Sequence, residues 1–340
     1  MHFAQLLPLF TGLAVATTLP RQASSGCTKP AKRVEFRTLD AALRKEYTDA
    51  VICLTEKPSS IGLKTSLYDD FTYVHTHLNN DIHYVAQFLP WHRYFTYLYH
   101  KQLQACGYTG PMVTRYWDWT LDVKDVAGSD FWDPVSGVGG NGGDKIEKTS
   151  DGREWKCLVD GPFKDIRPAY SRGIAAEHCL SRDFFDGQNR PGTMRASGYT
   201  PEVIAEMNKL PDFESFEFRL ENVPHGSIHS AVGGQMGDLG PSSSPNDPIF
   251  FMHHGQVDRL WALWQQQDPE ARLKDYAGIR ERLMTPGGNA TADDNSTQAE
   301  IPNPRATLTD MMPFMGLAGA EDLTVSDVMD TTNEKLCYTY

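Results

Sequence analysis

Apolar residues recur at three- and four-residue intervals in several stretches of this chain, the spacing of a helix with one buried stripe. In residues 37–55 the stripe is Leu39, Leu43, Tyr47, Val51 and Leu54, and Pro58 ends it. Residues 64–79 place Leu67, Phe71, Val74 and Leu78 on one face. Residues 88–105 turn Phe95, Leu98 and Leu103 inward, with Pro90 in the first turn, where its missing N–H costs nothing. The densest run is NDPIFFMHHGQVDRLW, residues 246–261, continuing to Gln267. Asn246 and Asp247 read as its N-caps and Pro248 as its first turn. Residues 201–208 predict a short helix and 269–283 a longer one, whereas 213–220 alternate too briefly to assign. Between 121 and 211 periodicity nearly disappears. The glycine cluster at 137–143 lacks the strand, lysine and spacing of a phosphate loop. Without repeats or a low-complexity linker, the pattern predicts one mainly α domain with long loops.

Composition narrows the class. The 340 residues hold 44 acidic and 32 basic side chains, a net charge of −12. That balance argues against nucleic acid or an anionic membrane as partner, since both need a concentrated positive field. Residues 1–18 read as a secretory signal peptide: an apolar stretch ending in small residues before Leu19 and Pro20. The mature chain, residues 19–340, is then expected outside the cell. Six single cysteines without a CxxC pair suit disulfides in that compartment. Cys27 with Cys337 and Cys157 with Cys179 are attractive pairs among fifteen possible pairings. Asn289 and Asn295 open two N-glycosylation sequons in one polar stretch.

Of eleven histidines, two groups carry the chemistry. His75, His77, His83, His92 and His100 crowd one stretch, and His225, His229, His253 and His254 another. His225 and His229, four apart on a helix, bring their rings to one face. Pro90 between His83 and His92 puts them at the end of one helix and the start of the next, with His75 on the helix before. Imidazole without thiolates or paired carboxylates suits copper, zinc or nickel, and two sets of three suit a dioxygen-bridging copper pair best. Asp258, four residues after His254, is placed to orient a ring. HExxH, the common metalloprotease pattern, is absent. His77, His100 and His178 read as ordinary core or surface residues.

These residues resemble a known family. DDFTYVHTHLNNDIHYVAQFLPWHRYF (69–95), ENVPHGSIH (221–229), NDPIFFMHHGQVDRLW and RYWDW (115–119) are similar to type-3 binuclear copper proteins of the tyrosinase superfamily. The nearest likeness is to short secreted fungal catechol oxidases and tyrosinase-like enzymes. The resemblance implies a single domain with a four-helix bundle holding two copper ions, amid long loops and a few short strands. It places His75, His83 and His92 on copper A and His225, His229 and His253 on copper B. His254 is then support, Phe250 an aromatic beside the rings, Glu221 a water-orienting carboxylate, and Asp258 an acid fixing the histidine network. Tyr338-Thr339-Tyr340 matches the element after which longer relatives carry a shielding domain, so residues 19–340 read as a catalytic domain alone.

The expected reaction is oxidation of a small phenolic substrate, an o-diphenol or o-aminophenol, to an o-quinone, with dioxygen reduced to water. Substrate would enter past Gly226 and Val232, with Gly233 and Gly234 keeping the way open. Relatives often carry asparagine where this chain has Gly226, which cannot hold a water for phenol hydroxylation. A true tyrosinase that hydroxylates monophenols is the alternative within the family. A dioxygen carrier and a dinuclear zinc hydrolase are the rivals outside that activity. Oligomeric state is not encoded in any of these features.

Overall fold

The computed structural model describes residues 27–110, 115–149, 152–186, 193–282 and 304–340. The signal-peptide stretch and the sequons at Asn289 and Asn295 lie outside them. The described chain is mostly helical. Its helices are α1 (Ala41–Glu56), α2 (Leu67–His77), α3 (Asn79–Ile82), α4 (Phe88–Ala105), α5 (Pro201–Met207), α6 (Phe213–Leu220), α7 (Gly226–Gly233), α8 (Ile249–Gln266) and α9 (Pro269–Arg272). A π turn, Glu221–His225, joins α6 to α7.

Local chemistry accounts for the helix starts. Asp40 accepts from the Leu43 N–H at α1, and Ser66 with Asp69 forms a reciprocal capping box at α2. The helix predicted over 88–105 is α4 as observed. Three expectations differ. Residues 213–220 are a helix, α6, capped by the Asp212 side chain on the Ser215 N–H. The helix predicted over 269–283 stops after one turn at Arg272. Asn246 does not cap α8: it sits in a 3-10 turn, and its amide donates to the Tyr170 carbonyl and to Asp238. Asp247 does accept from the Ile249 N–H, but its carboxylate chiefly holds the buried Arg182.

α2, α4 and α8 meet around Phe71, whose ring lies edge-on to Phe95, Tyr99 and Phe251 at 5.3–5.6 Å. α1 packs on α2 and α4, and the α6–π–α7 segment completes the bundle around the histidines. Strands are short and occur as four two-stranded ladders among the described residues. Outermost, β1 (Ala31–Lys32) runs parallel to β8 (Tyr338–Thr339), joining the two ends of the described chain. The stretch without periodicity folds as β2 (Gly142–Lys148) against β3 (Glu154–Leu158) and β4 (Tyr170–Ser171) against β5 (Ile174–Ala175). β6 (Met311–Met312) pairs with β7 (Leu323–Thr324).

Three disulfides form, Cys27–Cys337, Cys53–Cys106 and Cys157–Cys179, which include both expected pairs. The last staples the irregular stretch, as its loop length invites. No described helix is long and apolar enough to cross a membrane.

Candidate metal centre

The elements α2, α3, α4, the π turn, α7 and α8 bring the histidines together. His75 comes from the last turn of α2, His83 follows α3 in extended backbone, and His92 lies in the second turn of α4. Their ring centroids are 4.9–5.4 Å apart. His225 ends the π turn and His229 lies in α7, with rings 4.4 Å apart. α8 adds both His253 and His254 to this second group. The two groups face each other: His254 stacks on His92 at 4.3 Å, and His225 on His83 at 6.4 Å.

Five rings are fixed the same way. Nδ1 meets a backbone carbonyl: His75 that of Ser242 (2.7 Å), His83 of Asn79 (3.1 Å), His92 of Phe88 (2.8 Å), His225 of Glu221 (3.0 Å) and His229 of Leu239 (2.6 Å). A carbonyl only accepts, so each Nδ1 carries the proton and each Nε2 presents a lone pair. Burial holds all seven rings neutral, taking His83 down to about 3 and His229 to about 4; His75, His92, His225, His253 and His254 are also lowered, again chiefly by burial.

Such a set fits metal ions. The Nε2 atoms of His75 and His92 lie 3.3 Å apart, two lone pairs facing each other with nothing to relieve them but a cation. Nε2 of His225 and of His229 is buried without a hydrogen-bond partner. An unsatisfied buried group is costly unless something binds it.

His253 and His254 differ in a way the resemblance did not anticipate. The Trp119 indole N–H donates to Nδ1 of His253 at 3.3 Å, which puts the neutral ring's proton on Nε2 and removes its lone pair there. Both nitrogens of His254 lack a hydrogen-bond partner, and its ring stands 5.1 Å from His225 and against His92. The geometry therefore favours His254 as the third donor of the second group and His253 as its neighbour, reversing the sequence expectation. Spacing could not separate adjacent residues; the indole from RYWDW does.

Phe250, one turn before His254, packs at 4.2 Å from it and 5.1 Å from His75, as the resemblance implies. Asp258 touches no histidine. Its carboxylate is buried with Arg33 (2.6 Å), Arg93 (2.5 Å) and the hydroxyls of Tyr338 and Tyr340, so it ties α8 to α4 and to both ends of the described chain. Burial opposes its charge, but the two guanidiniums outweigh this and hold its pKa below the usual carboxylate value. His77 stacks on Tyr73, and His178 pairs with Asp238; neither joins the site.

A cavity of about 330 Å³ opens onto the rings, lined among others by Glu221, Gly226, Asn79 and Tyr84. Val232, expected at the entrance, is instead fully buried, and its carbonyl accepts from the Asp183 N–H. Gly233 is pressed against Gly240, and Ser230, Gly240 and Pro241 form that side of the mouth. Both Glu221 oxygens accept from the Tyr84 N–H at 2.9 Å. Burial pushes the Glu221 carboxyl up to about 7, and the buried Glu217 one turn earlier, also raised by burial, adjoins it. Tyr84 and the carbonyls of Ser242 and Leu239 left no mark in the sequence because their backbones do the work. Glu217 did, through its four-residue spacing from Glu221.

Residues 65–267 match the family model described as the common central domain of tyrosinase. Tyrosinase ustQ of Aspergillus flavus is 36% identical over 336 residues, spanning 98% of this chain and 85% of that protein. Tyrosinase-like protein phomQ2 of Diaporthe leptostromiformis is 38% identical over 92% of this chain and 74% of its own length. Among solved structures, a mutant of polyphenol oxidase from Thermothelomyces thermophila superposes with a TM-score of 0.69 at 30% identity, covering 91% of this chain and 88% of that one. An octopus haemocyanin functional unit shares the fold, with a TM-score of 0.53 at 19% identity. The buried histidine groups and these likenesses agree: the chain belongs to the tyrosinase family of copper oxidases, whose members use two coppers, dioxygen and phenolic substrates.

Proposed function

We propose that this chain oxidises o-diphenols, and o-aminophenols of similar size, to o-quinones with little hydroxylation of monophenols. The observation that carries the reading is the floor of the 330 Å³ cavity, where neutral imidazoles open beside Glu221 and a Gly226 that has no side chain. Two copper ions, one on His75, His83 and His92 and the other on His225, His229 and His254, supply the electron exchange with dioxygen when bound. Each diphenol gives up two electrons and two protons, so two diphenols take one dioxygen to two waters.

The chain's own part is positional. Backbone carbonyls fix five rings in the tautomer that offers Nε2 outward. Phe250 packs against both groups and holds their rings in place. The Tyr84 N–H is shared between both Glu221 oxygens, and Gly226 offers no amide to share a water with that carboxylate. No side chain there holds a water against Glu221 to take the proton of a monophenol.

The test pairs copper analysis with turnover of 4-methylcatechol and p-cresol under the same conditions. Two coppers per chain with rapid catechol oxidation and slow cresol oxidation are expected. Prompt cresol turnover without added diphenol overturns the selectivity, and copper-loaded protein that binds dioxygen yet oxidises neither is a carrier. We also read residues 1–18 as a cleaved leader and Asn289 and Asn295 as glycan acceptors, a reading supported by the three disulfides. The mass of the secreted protein before and after glycosidase treatment tests both.

A further inference from the structure

A second cavity, of about 620 Å³, adjoins the first and shares Ser230, Gly240, Pro241 and Ser242 with it. Two arginines line it from separate parts of the chain: Arg172 from the tip of the β4–β5 hairpin and Arg195 from the loop before α5. Both hold left-handed backbone, at φ 51°, a conformation that costs a non-glycine residue energy and concentrates at functional sites. The Arg195 guanidinium lies 4.9 Å from the Phe185 ring centroid. No carboxylate lines this cavity, and neither arginine has an ion-pair partner among the described residues. Asp183, beside Gly234 on the cavity wall, is engaged by Lys156 and by the Gln235 and Met236 N–H groups. Two guanidiniums without an ion pair among the described residues thus line one hollow.

We infer that this cavity receives the carboxylate-bearing tail of the substrate, so that the preferred substrate is a phenol with an acidic side arm. The inference rests on the oxidase reading of the first cavity and adds its substrate class. The ring lies over the histidines, the tail crosses the shared edge at Gly240 and Ser242, and the guanidiniums take the carboxylate with paired N–H groups. Gln235, on the same wall, offers an amide to the same group.

The test compares 4-ethylcatechol with 3-(3,4-dihydroxyphenyl)propionate, which share a ring and a two-carbon arm and differ in the carboxylate. Wild type is expected to show the lower KM for the acid, and R172Q and R195Q each to raise that KM about tenfold, the value of a charged hydrogen bond. Both variants should leave 4-ethylcatechol within about twofold, which also shows that they fold. A binding arm uses the zinc-loaded protein, titrated calorimetrically with 3-(4-hydroxyphenyl)propionate and 4-ethylphenol. The acid should bind more tightly, and the variants should abolish its advantage. Equal effects on acid and neutral partner, or none on either, overturn the inference. If wild type oxidises neither catechol while the binding preference is lost in the variants, the oxidase reading fails and the acid site stands. Oxidation of 4-ethylcatechol without any acid preference is the reverse.

Discussion

An added side chain at Gly226 would meet little. Its Cβ would have one neighbour within 4 Å, the Glu221 carbonyl at 3.4 Å, and its φ of −60° suits any residue. Gly226→Asn is therefore expected to fold normally and to bring an amide beside Glu221. The ratio of p-cresol to 4-methylcatechol turnover should rise about tenfold, the worth of one hydrogen bond to a charged group; an unchanged ratio would mean that Gly226 does not set the selectivity. A second residue-scale prediction separates the adjacent pair on α8. His254→Ala should hold about one copper fewer per chain by metal analysis, as loss of a donor from a three-imidazole set requires. His253→Ala should keep both, because the Trp119 indole already occupies its Nδ1. Equal loss from the two variants would show that the indole does not fix the tautomer. The residues that could be read in advance were those whose side chains do the chemistry: the histidines, Glu221 and Phe250. Tyr84, Ser242 and Leu239 act through backbone N–H and carbonyl groups that every residue has, so no residue type announced them.

At the scale of elements, α8 is wedged between the ligand helices and the segment at 115–117. Gly255 makes the approach possible, since a Cβ there would stand 2.8 Å from the Arg115 carbonyl and 3.3 Å from Tyr116. Gly255→Ala is expected to destabilise the protein by about 1–3 kcal/mol through overpacking, read as a lower denaturant midpoint with an unchanged slope. Helix existence was legible wherever a long apolar stripe met a breaker, as in α4. It was not legible in α6, where eight residues give barely two turns and the stripe Phe213, Phe216, Leu220 is too short to stand out. The cap of α8 failed as a sequence signal for a different reason. Asn246 and Asp247 have the right side chains, but Tyr170, Asp238 and Arg182, far away in sequence, claim most of their hydrogen bonds. The resemblance placed Asp258 beside a histidine for the same want of information: its partners Arg33, Tyr338 and Tyr340 come from the far ends of the described chain and Arg93 from α4.

For the whole molecule, the histidines make stability depend on pH and metal together. Eight of them, His75, His83, His92, His100, His225, His229, His253 and His254, have pKa values lowered chiefly by burial. Above their unfolded value of about 6.5 both states are neutral and pH has no purchase. Below it the unfolded chain takes protons that the folded chain refuses, so stability falls steadily as pH drops toward the values of about 4 and 3 reached at His229 and His83. His178 runs the other way: burial opposes its charge, but Asp238 wins and raises its pKa. Its contribution is full below about 6.5 and fades as pH rises through the raised value. The chelated protein is thus expected to lose Tm steeply between about pH 6.5 and 4, and the metal-loaded protein much less, by calorimetry across that range. A flat profile for the chelated protein would contradict the burial of neutral rings.

One covalent feature has a topological result. Cys27–Cys337 spans 310 residues and closes the described chain into a ring, inside which the other two disulfides form smaller loops. A ring cut once is still one piece. A protease that severs any single peptide bond between Cys27 and Cys337 leaves a molecule that runs as a single species without reductant and as two fragments with it. A segment is freed only when two cuts both fall outside the inner loops or both fall within the same one. The clamp on Asp258 holds the same two ends beside α8 by ion pairs and hydroxyls, so a nicked molecule keeps the helix that carries His254 in register.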